Sequence, residues 1–561
     1  AVVGAVGAKR EKWGSRTEFL LATIGNCVGV GNVWRFPYLC YKNGGGTFLI
    51  PYFLALTFIG VPVFMLELAV GQRFAKGNAH SYKLIHKRLV GVGVASTCMA
   101  YATLWYYNII VAWTIVYMAH SLRAPNNTPW GGGGVDAERF WTHAVLWESD
   151  GFEETKGVTS WGLVLASLLA WTALFFSTKN GVKSTGKVAY VTATLPYFLL
   201  LCLVLRGVTL QGAGKGLEFY LKPQIKKLFE STDPWLDAAN QIIYSLGVGI
   251  GGLVAFGSYN PQDEDVVLDS VCIAGLNSFT SLFAGIAIFS IIGFKARRDG
   301  EDVADVVDSG EGLAFIAYPD GLSTLPGAGV WCFVFFAMLF ALAIDSSMAM
   351  LEAWMTLLAD FGLFAKEGAT SNDEIDEAKR ERGVLLSCLF GFGVSFIFIC
   401  RPGIYWFSLV DSFVVWGVFA VAALECWGIA THYGADKFAA EIQHLTRRKI
   451  PDIILLCWTY VTPCLCIFLG IVSFLLSMTE KDPSYEGARA TSSARVVGVV
   501  LMLNPLLIMA LGAAFPDKDW LFYLRPTDSA ALDKAIELTS LADDAGGLGS
   551  GQPKPTSANL V

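Results

Sequence analysis

Apolar residues run through this chain in long blocks separated by short charged loops. A helix crosses a bilayer core in about 20 residues. Blocks of that order lie near 16–41, 47–72, 89–121, 160–178, 188–206, 236–261, 266–294, 328–360, 383–400, 404–431, 453–477 and 494–516. The pattern predicts an all-α polytopic membrane protein with twelve transmembrane helices. Two blocks are interrupted. "GNCVGVGNVWRFP" (25–37) sets glycines, two asparagines, Arg35 and Pro37 inside the first, and "YSLGVGIGG" (244–252) is glycine-dense inside the sixth.

The first and sixth blocks hold corresponding places in two consecutive sets of five. Broken helices at matching positions point to an inverted repeat with a binding site at the bilayer midplane. Unwinding a helix in lipid leaves amides and carbonyls unsatisfied at several kcal/mol each, so a ligand must repay it. Half-helix N-terminal amides favour an anion, and C-terminal or unwound carbonyls favour a cation. Glycine-rich stretches also serve close helix packing. Two at repeat-related positions, each beside Asn, Gln or Ser, favour a site instead. "GVGIGG" fits a dinucleotide fingerprint, but that motif follows a strand and opens a soluble helix, so the nucleotide reading is discarded.

This organisation divides the chain into an N-terminal segment 1–15, a core 16–431 with repeats at about 16–206 and 236–431, two further spans within 432–520, and a tail 521–561 whose last part is compositionally disordered. Charge gives orientation. Lys9, Arg10, Lys12 and Arg16 precede the first span, and Arg73, Lys76, Lys83, Lys87 and Arg88 follow the second. Lys179, Lys183 and Lys187 follow the fourth, and Arg447, Arg448 and Lys449 the tenth. All fall on one side, so both termini are expected in the cytoplasm of a multi-pass plasma-membrane protein. "ESDGFEET" and "DGEDVADVVDSGEG" lie opposite; the inner loop "NPQDEDVVLD" runs against the trend.

Of the 561 residues, 54% are hydrophobic and 16% charged, against roughly a quarter charged in soluble domains. The net charge of -7 sits in loops and implies no nucleic-acid partner. No cleavable signal peptide is expected. The 12 cysteines fall within or beside apolar segments without a CxxC, and read as buried structural thiols. "NNT" offers a glycosylation acceptor at Asn126.

Polar residues inside apolar spans need partners and mark function by default. They are Asn26 and Asn32, Gln241 and Ser245, Asn277 and Ser281, and Asp345, Ser346 and Ser347. An isolated carboxylate at the bilayer centre costs at least about 2.5 kcal/mol, and a cation beside Asp345 would remove that cost. The competing reading is a buried structural acid that stays protonated or bonds a neighbouring helix. Glu67 lies near the inner end of its span and is expected to brace helices. No HExxH occurs, and His80, His86, His120, His143, His432 and His444 form no metal-ligand spacing, so an enzyme is not expected.

"GNVWRFPYLCYKNGGG" (31–46), "GVKSTGKVAYVTATLPY" (181–197), "LRGVTLQGA" (205–213) and "SGEGLAFIAYP" (309–319) resemble the neurotransmitter:sodium symporter family, nearest its GABA, creatine, taurine and glycine type members. The resemblance covers about residues 9 to 520. It implies the LeuT-type five-plus-five inverted repeat with broken first and sixth helices. It implies Na⁺- and Cl⁻-coupled symport of an amino acid or amino-acid-like zwitterion (GABA, taurine, creatine, betaine, glycine or a neutral amino acid) by alternating access. The alternative is a non-transporting sensor or receptor of the same fold.

The family's roles carry over by position. A first sodium site would use the Cys27 carbonyl with Asn32, Ser245 and Asn277. A second would use carbonyls of Gly25, Val28 and Leu342 with Asp345 and Ser346. Chloride would meet Tyr52, Gln241, Ser245 and Ser281; chloride-independent members carry an acid where Ser281 stands. The solute pocket would comprise Gly29, Val30, Gly31, Tyr107, Tyr244, Gly247, Ile250, Ser346, Ser347 and Met350. Amine-transporting members place Asp where Gly29 stands, so a carboxylate-bearing solute is implied. Arg35 and Asp411 would form an outer ion pair with Tyr107 and Tyr244 as a lid. Arg10 and Asp360 would form an inner pair near Trp13 and Tyr259.

Overall fold

A computed structural model describes residues 11–123, 128–131, 134–149, 151–152, 160–306, 312–367, 374–479 and 491–516. Arg10, Asn126 and the tail lie outside the described residues. Among those described, regular structure is helical apart from isolated bridge residues, Ala365 paired with Ile375 among them. There, 10 helices are long and apolar enough to cross a membrane. The two expected spans missing from that set are the first and the sixth, because each is cut into short pieces. The first is divided into Arg16–Cys27, Val30–Val33 and Arg35–Lys42. The sixth is divided into Asp233–Leu246 and Gly252–Ser258.

The broken spans lie at the centre and touch each other as well as Val266–Asp299 and Ala328–Asp360. Burial grades outward: 83% of the most apolar stretch of Lys87–Arg123 is buried, against 28% of Ser492–Ala514. The third span is therefore interior, and the twelfth stands at the edge with its apolar face outward.

The second span contains a wide turn at Leu56–Gly60, next to Pro62. Proline has no N–H for the carbonyl four residues back. That carbonyl, on Phe58, instead accepts the Thr462 hydroxyl at 2.6 Å, while Trp458 Nε1 donates to the Pro62 carbonyl at 2.8 Å. The eleventh span thus satisfies the defect in the second.

The acidic loop that ran against the charge trend is neutralised locally. Arg16 pairs with Asp269 at 2.6 Å and Glu264 at 3.4 Å, and Arg448 pairs with Asp265. Here burial lifts the Glu264 carboxyl above its usual range while Arg16 pulls it back. The cysteines are all free, but the buried-thiol expectation holds only in part. Cys272 and Cys464 are exposed, on outward helix faces where a thiol costs little against lipid.

Candidate ion and solute site

The first span stops where its backbone extends. Val28 N–H still donates to the Ile24 carbonyl at 2.7 Å. Gly29, at φ -107 and ψ -172, turns its N–H to Cys27 O at 3.1 Å and Asn32 Oδ1 at 2.9 Å rather than to Gly25 four residues back. The sixth span breaks by a different device. Gly247, Gly249 and Gly251 take φ 63, 74 and 76, a left-handed region that side chains disfavour. Glu67 Oε1 accepts the Gly249 N–H at 2.6 Å. The expected brace therefore acts on the break itself.

Between the breaks the expected polar residues form one cluster. Asn32 Nδ2 lies 3.1 Å from Ser245 Oγ, 2.8 Å from Asn277 Oδ1 and 2.8 Å from Ser281 Oγ. Asn277 Nδ2 donates to Ser245 Oγ at 2.8 Å. Gln241 Nε2 reaches the Gly31 carbonyl at 3.4 Å, and its buried Oε1 has no partner. Tyr52 is fully buried and donates to Ser278 Oγ at 3.1 Å, one helical turn from Ser281. The Cys27 thiol donates to Leu246 O at 3.5 Å, while its carbonyl takes the Gly29 N–H at the break.

The second expected site is equally compact. Asp345 is 4% exposed and accepts the Thr192 hydroxyl on Oδ1; its buried Oδ2 has no partner. A Cβ at Gly25 would fall 2.4 Å from that Oδ2, so the carboxylate is pressed against the end of the first half-helix. Ser346 Oγ donates to the Asn26 carbonyl at 3.2 Å, and Leu342 lies one turn before Asp345 on the same helix. Carbonyl ends, a hydroxyl and an unpartnered buried carboxylate oxygen fit a dehydrated monovalent cation.

A cavity of about 80 Å³ lies between the breaks. Gly29, Gly31, Tyr107, Tyr244, Gly247, Ile250, Ser346 and Met350 line it as expected, joined by Asn26 and Thr103. Val30 and Ser347 do not; Ser347 is buried and donates to Ala343 O at 3.0 Å within its own helix. No acidic side chain lines the cavity. A larger hollow of about 850 Å³ at the basic end is lined by lysines and glutamates and touches neither break.

The cavity is capped at both ends. At one, Tyr244 and Tyr106 both donate to Asp411 Oδ1, the latter at 3.0 Å, and their hydroxyls lie 2.5 Å apart. Arg35 stacks over the Tyr244 ring at 4.6 Å. This corrects the expected gate in two respects. Among the described residues Arg35 and Asp411 form no direct ion pair; Tyr244 stands between them. The lid tyrosine is Tyr106, while Tyr107 points into the cavity beside Gly29 and Ser346. Adjacent helical positions diverge by about 100°, so only one of the pair can reach Asp411.

At the basic end Trp13 donates from Nε1 to Phe256 O at 3.1 Å and from its backbone to Tyr259 O at 3.2 Å. Tyr259 in turn donates to Glu352 Oε1 at 2.9 Å, and Glu352 pairs with buried Arg380 at 2.7 Å. Asp360 accepts the Gly77 N–H at 3.2 Å and lies 3.5 Å from His80.

Residues 10–136 and 134–516 match the sodium:neurotransmitter symporter family. The chain belongs to that family. The sodium- and chloride-dependent GABA transporter 2 of Bos taurus is 37% identical over 505 residues, covering 85% of this chain and 81% of the relative. The human GABA transporter 2 gives 37% over 505 residues, with 85% and 81% covered. The bovine sodium- and chloride-dependent taurine transporter gives 39% over 497 residues, with 83% and 78% covered. The symporter is thus a multi-pass, all-α membrane transporter of a small solute and not an enzyme.

Some residues of the symporter's site were missed in the sequence. Thr192 stands four residues before Pro196 in "TATLP", where a missing N–H loosens the helix; that was its available signal. Tyr106 sits beside the residue chosen in its place. Glu352 and Arg380 carried no local signal, since their pairing joins two separate helices.

Proposed function

We propose that this symporter moves a small carboxylate-bearing, amino-acid-like zwitterion together with Na⁺, with Cl⁻ required, by alternating access. The observation that carries the reading is Asp345. It is a buried carboxylate with a free oxygen against Gly25, at the broken end of the first span and beside a capped solute cavity. Na⁺ is a co-substrate here, held by the two sets described: Cys27, Asn32, Ser245 and Asn277, and Gly25, Val28, Leu342, Asp345 and Ser346. Tyr52, Gln241, Ser245 and Ser281 supply hydroxyl and amide donors for Cl⁻. With a serine at 281 in place of an acid, the anion itself balances cation charge.

The cavity supports the solute class. It holds no carboxylate to pair with a lone amine, while the Tyr107 hydroxyl and the break's backbone offer donors to a carboxylate. At about 80 Å³ it is far below the roughly 300–1,000 Å³ of drug-sized pockets. A Na⁺ ion moving down about 60 mV gains roughly 1.4 kcal/mol. A tenfold gradient adds about 1.4 kcal/mol. Two ions then give about 5.5 kcal/mol, enough for roughly 10⁴-fold accumulation of a neutral solute. Movement would rock the first and sixth spans against the rest of the repeats 16–206 and 236–431, breaking the Tyr106–Tyr244–Asp411 cap and the Trp13–Tyr259–Glu352 latch in turn. The basic end would face the cytoplasm of a plasma-membrane protein.

Uptake into proteoliposomes tests this, with GABA, taurine, creatine, betaine, glycine and a larger neutral amino acid, and with Na⁺ and Cl⁻ replaced in turn. One or more small solutes should accumulate only with both ions present. Saturable binding without accumulation would contradict the transport reading. A second check is Gly25→Ala. Its methyl would displace the Asp345 carboxyl, so uptake should fall at least about tenfold, the equivalent of 1.4 kcal/mol, with normal amounts of protein in the membrane.

A further inference from the structure

The seventh span, Val266–Asp299, starts at the basic end, where Asp265 pairs with Arg448, so it finishes at the tyrosine-capped end. On its last turn Lys295 Nζ lies 3.1 Å from Asp320 Oδ2 and 3.3 Å from Asp299 Oδ2. Asp299 also pairs with Arg298 at 2.8 Å. Among the described residues Lys295 is the one base within ion-pairing distance of Asp320. Lys295 and Asp320 are 8% and 1% exposed, and neither Asp320 oxygen has a hydrogen-bond partner. Charge therefore holds this contact, and a directed hydrogen bond does not. Asp320 belongs to a segment made of a wide turn, Leu313–Ala317, and a short helix, Tyr318–Ser323. A Cβ at Gly321 would fall 2.7 Å from Ile291, so the helix is seated directly on the seventh span beside the ion pair. The turn reaches toward the cap. Phe315 is fully buried, with its ring 5.7 Å from Trp34, next to Arg35, and 5.5 Å from Trp113. Trp113 leads through Phe407 at 5.1 Å to Tyr106 at 5.4 Å.

A buried ion pair repays its lost hydration only while both charges are present, and either charge left alone there is strongly unfavourable. Such a pair therefore admits one seating of the two elements it joins. We propose that Lys295 and Asp320 are positioning residues for transport: their ion pair fixes segment 313–323 on the seventh span, so that Phe315 braces Trp34 and Trp113 while the Tyr106–Tyr244–Asp411 cap is closed. Neither residue touches solute or ion. Loss of the pair frees the segment and weakens the closed cap, while binding with the cap open is left intact. Transport then slows without weaker binding. That consequence rests on the symport reading; the seating of the segment does not.

Hydrogen exchange of the full chain in bilayers, read by mass spectrometry, tests the seating. Peptides within 313–323 should exchange at least about tenfold faster in D320N and in K295M than in wild type. The swapped variant K295D/D320K should return to within about threefold of wild type, because the contact depends on charge. Unchanged exchange in both single variants, or a swap no better than they are, would overturn the proposal. If neither single variant inserts, the swap decides alone: insertion with near wild-type exchange supports the pair, and failure to insert overturns it. Uptake into proteoliposomes of equal protein content tests the brace. The maximal rate should fall at least about fivefold in D320N with no rise in KM for solute, and the swap should recover at least about half of it. An unchanged maximal rate or a raised KM in D320N would overturn the link to the cap. Absence of uptake by wild type would fail the symport reading alone, since exchange reads the seating without transport.

Discussion

Asp345→Ala is expected to abolish Na⁺-driven uptake, with a loss of about 10²- to 10³-fold. The carboxylate is 4% exposed and one oxygen is pressed against the half-helix end at Gly25. A cation dehydrated there needs that charge. Removing one partner of a buried charge pair costs about 3–5 kcal/mol, and the lower part of that range, about 3–4 kcal/mol, corresponds to the expected loss. Asp345→Asn keeps the shape and an oxygen for Thr192, so a comparable loss would assign the effect to charge and not to packing. Thr192→Val should do less. One hydrogen bond to a charged group is worth about 1.5–3 kcal/mol, and the carboxylate remains. Concentration dependence on Na⁺ checks all three variants in proteoliposomes of equal protein content. Undiminished uptake by D345A would contradict the assignment.

Gly29→Asp should be nearly as damaging, through the solute instead of the ion. A Cβ at Gly29 falls 3.1 Å from both Ser346 Oγ and the Tyr107 hydroxyl. A carboxylate built there would take the donors meant for the solute's carboxylate. Two negative charges about 4 Å apart repel by about 4 kcal/mol at an effective dielectric of 20. Zwitterion uptake should therefore fall by about 10²-fold or more. Gly29→Ala adds only the tight contact, so it should retain measurable uptake. Radiolabelled uptake of the preferred solute decides it: if G29D matches wild type, the solute's carboxylate is not received at this break.

The architecture was largely legible because bilayer thickness sets span length, and span length is visible as apolar runs. The two breaks were legible for a related reason, since glycines and amides are costly in lipid and stand out against it. The same chemistry exposed Asn32, Ser245, Asn277, Ser281 and Asp345, which the fold gathers into two clusters. Contacts made across separate helices were less visible. Tyr106 and Tyr107 are identical in type, and only helical phase selects which one caps Asp411. Arg35 and Asp411 have the charges for an ion pair, yet Tyr244 uses its face for one and its hydroxyl for the other. The resemblance put Ser347 in the solute pocket, but one helical step from Ser346 turns it onto Ala343.

The central claim is that solute and Na⁺ cross together through the two broken spans. Solute-stimulated influx of radioactive sodium into proteoliposomes, measured with Cl⁻ present, tests it most directly. Wild type should show sodium influx that rises with solute and stops when Cl⁻ is withdrawn, and D345A should show none. Solute uptake with no accompanying sodium influx, or equal influx in D345A, would contradict the account.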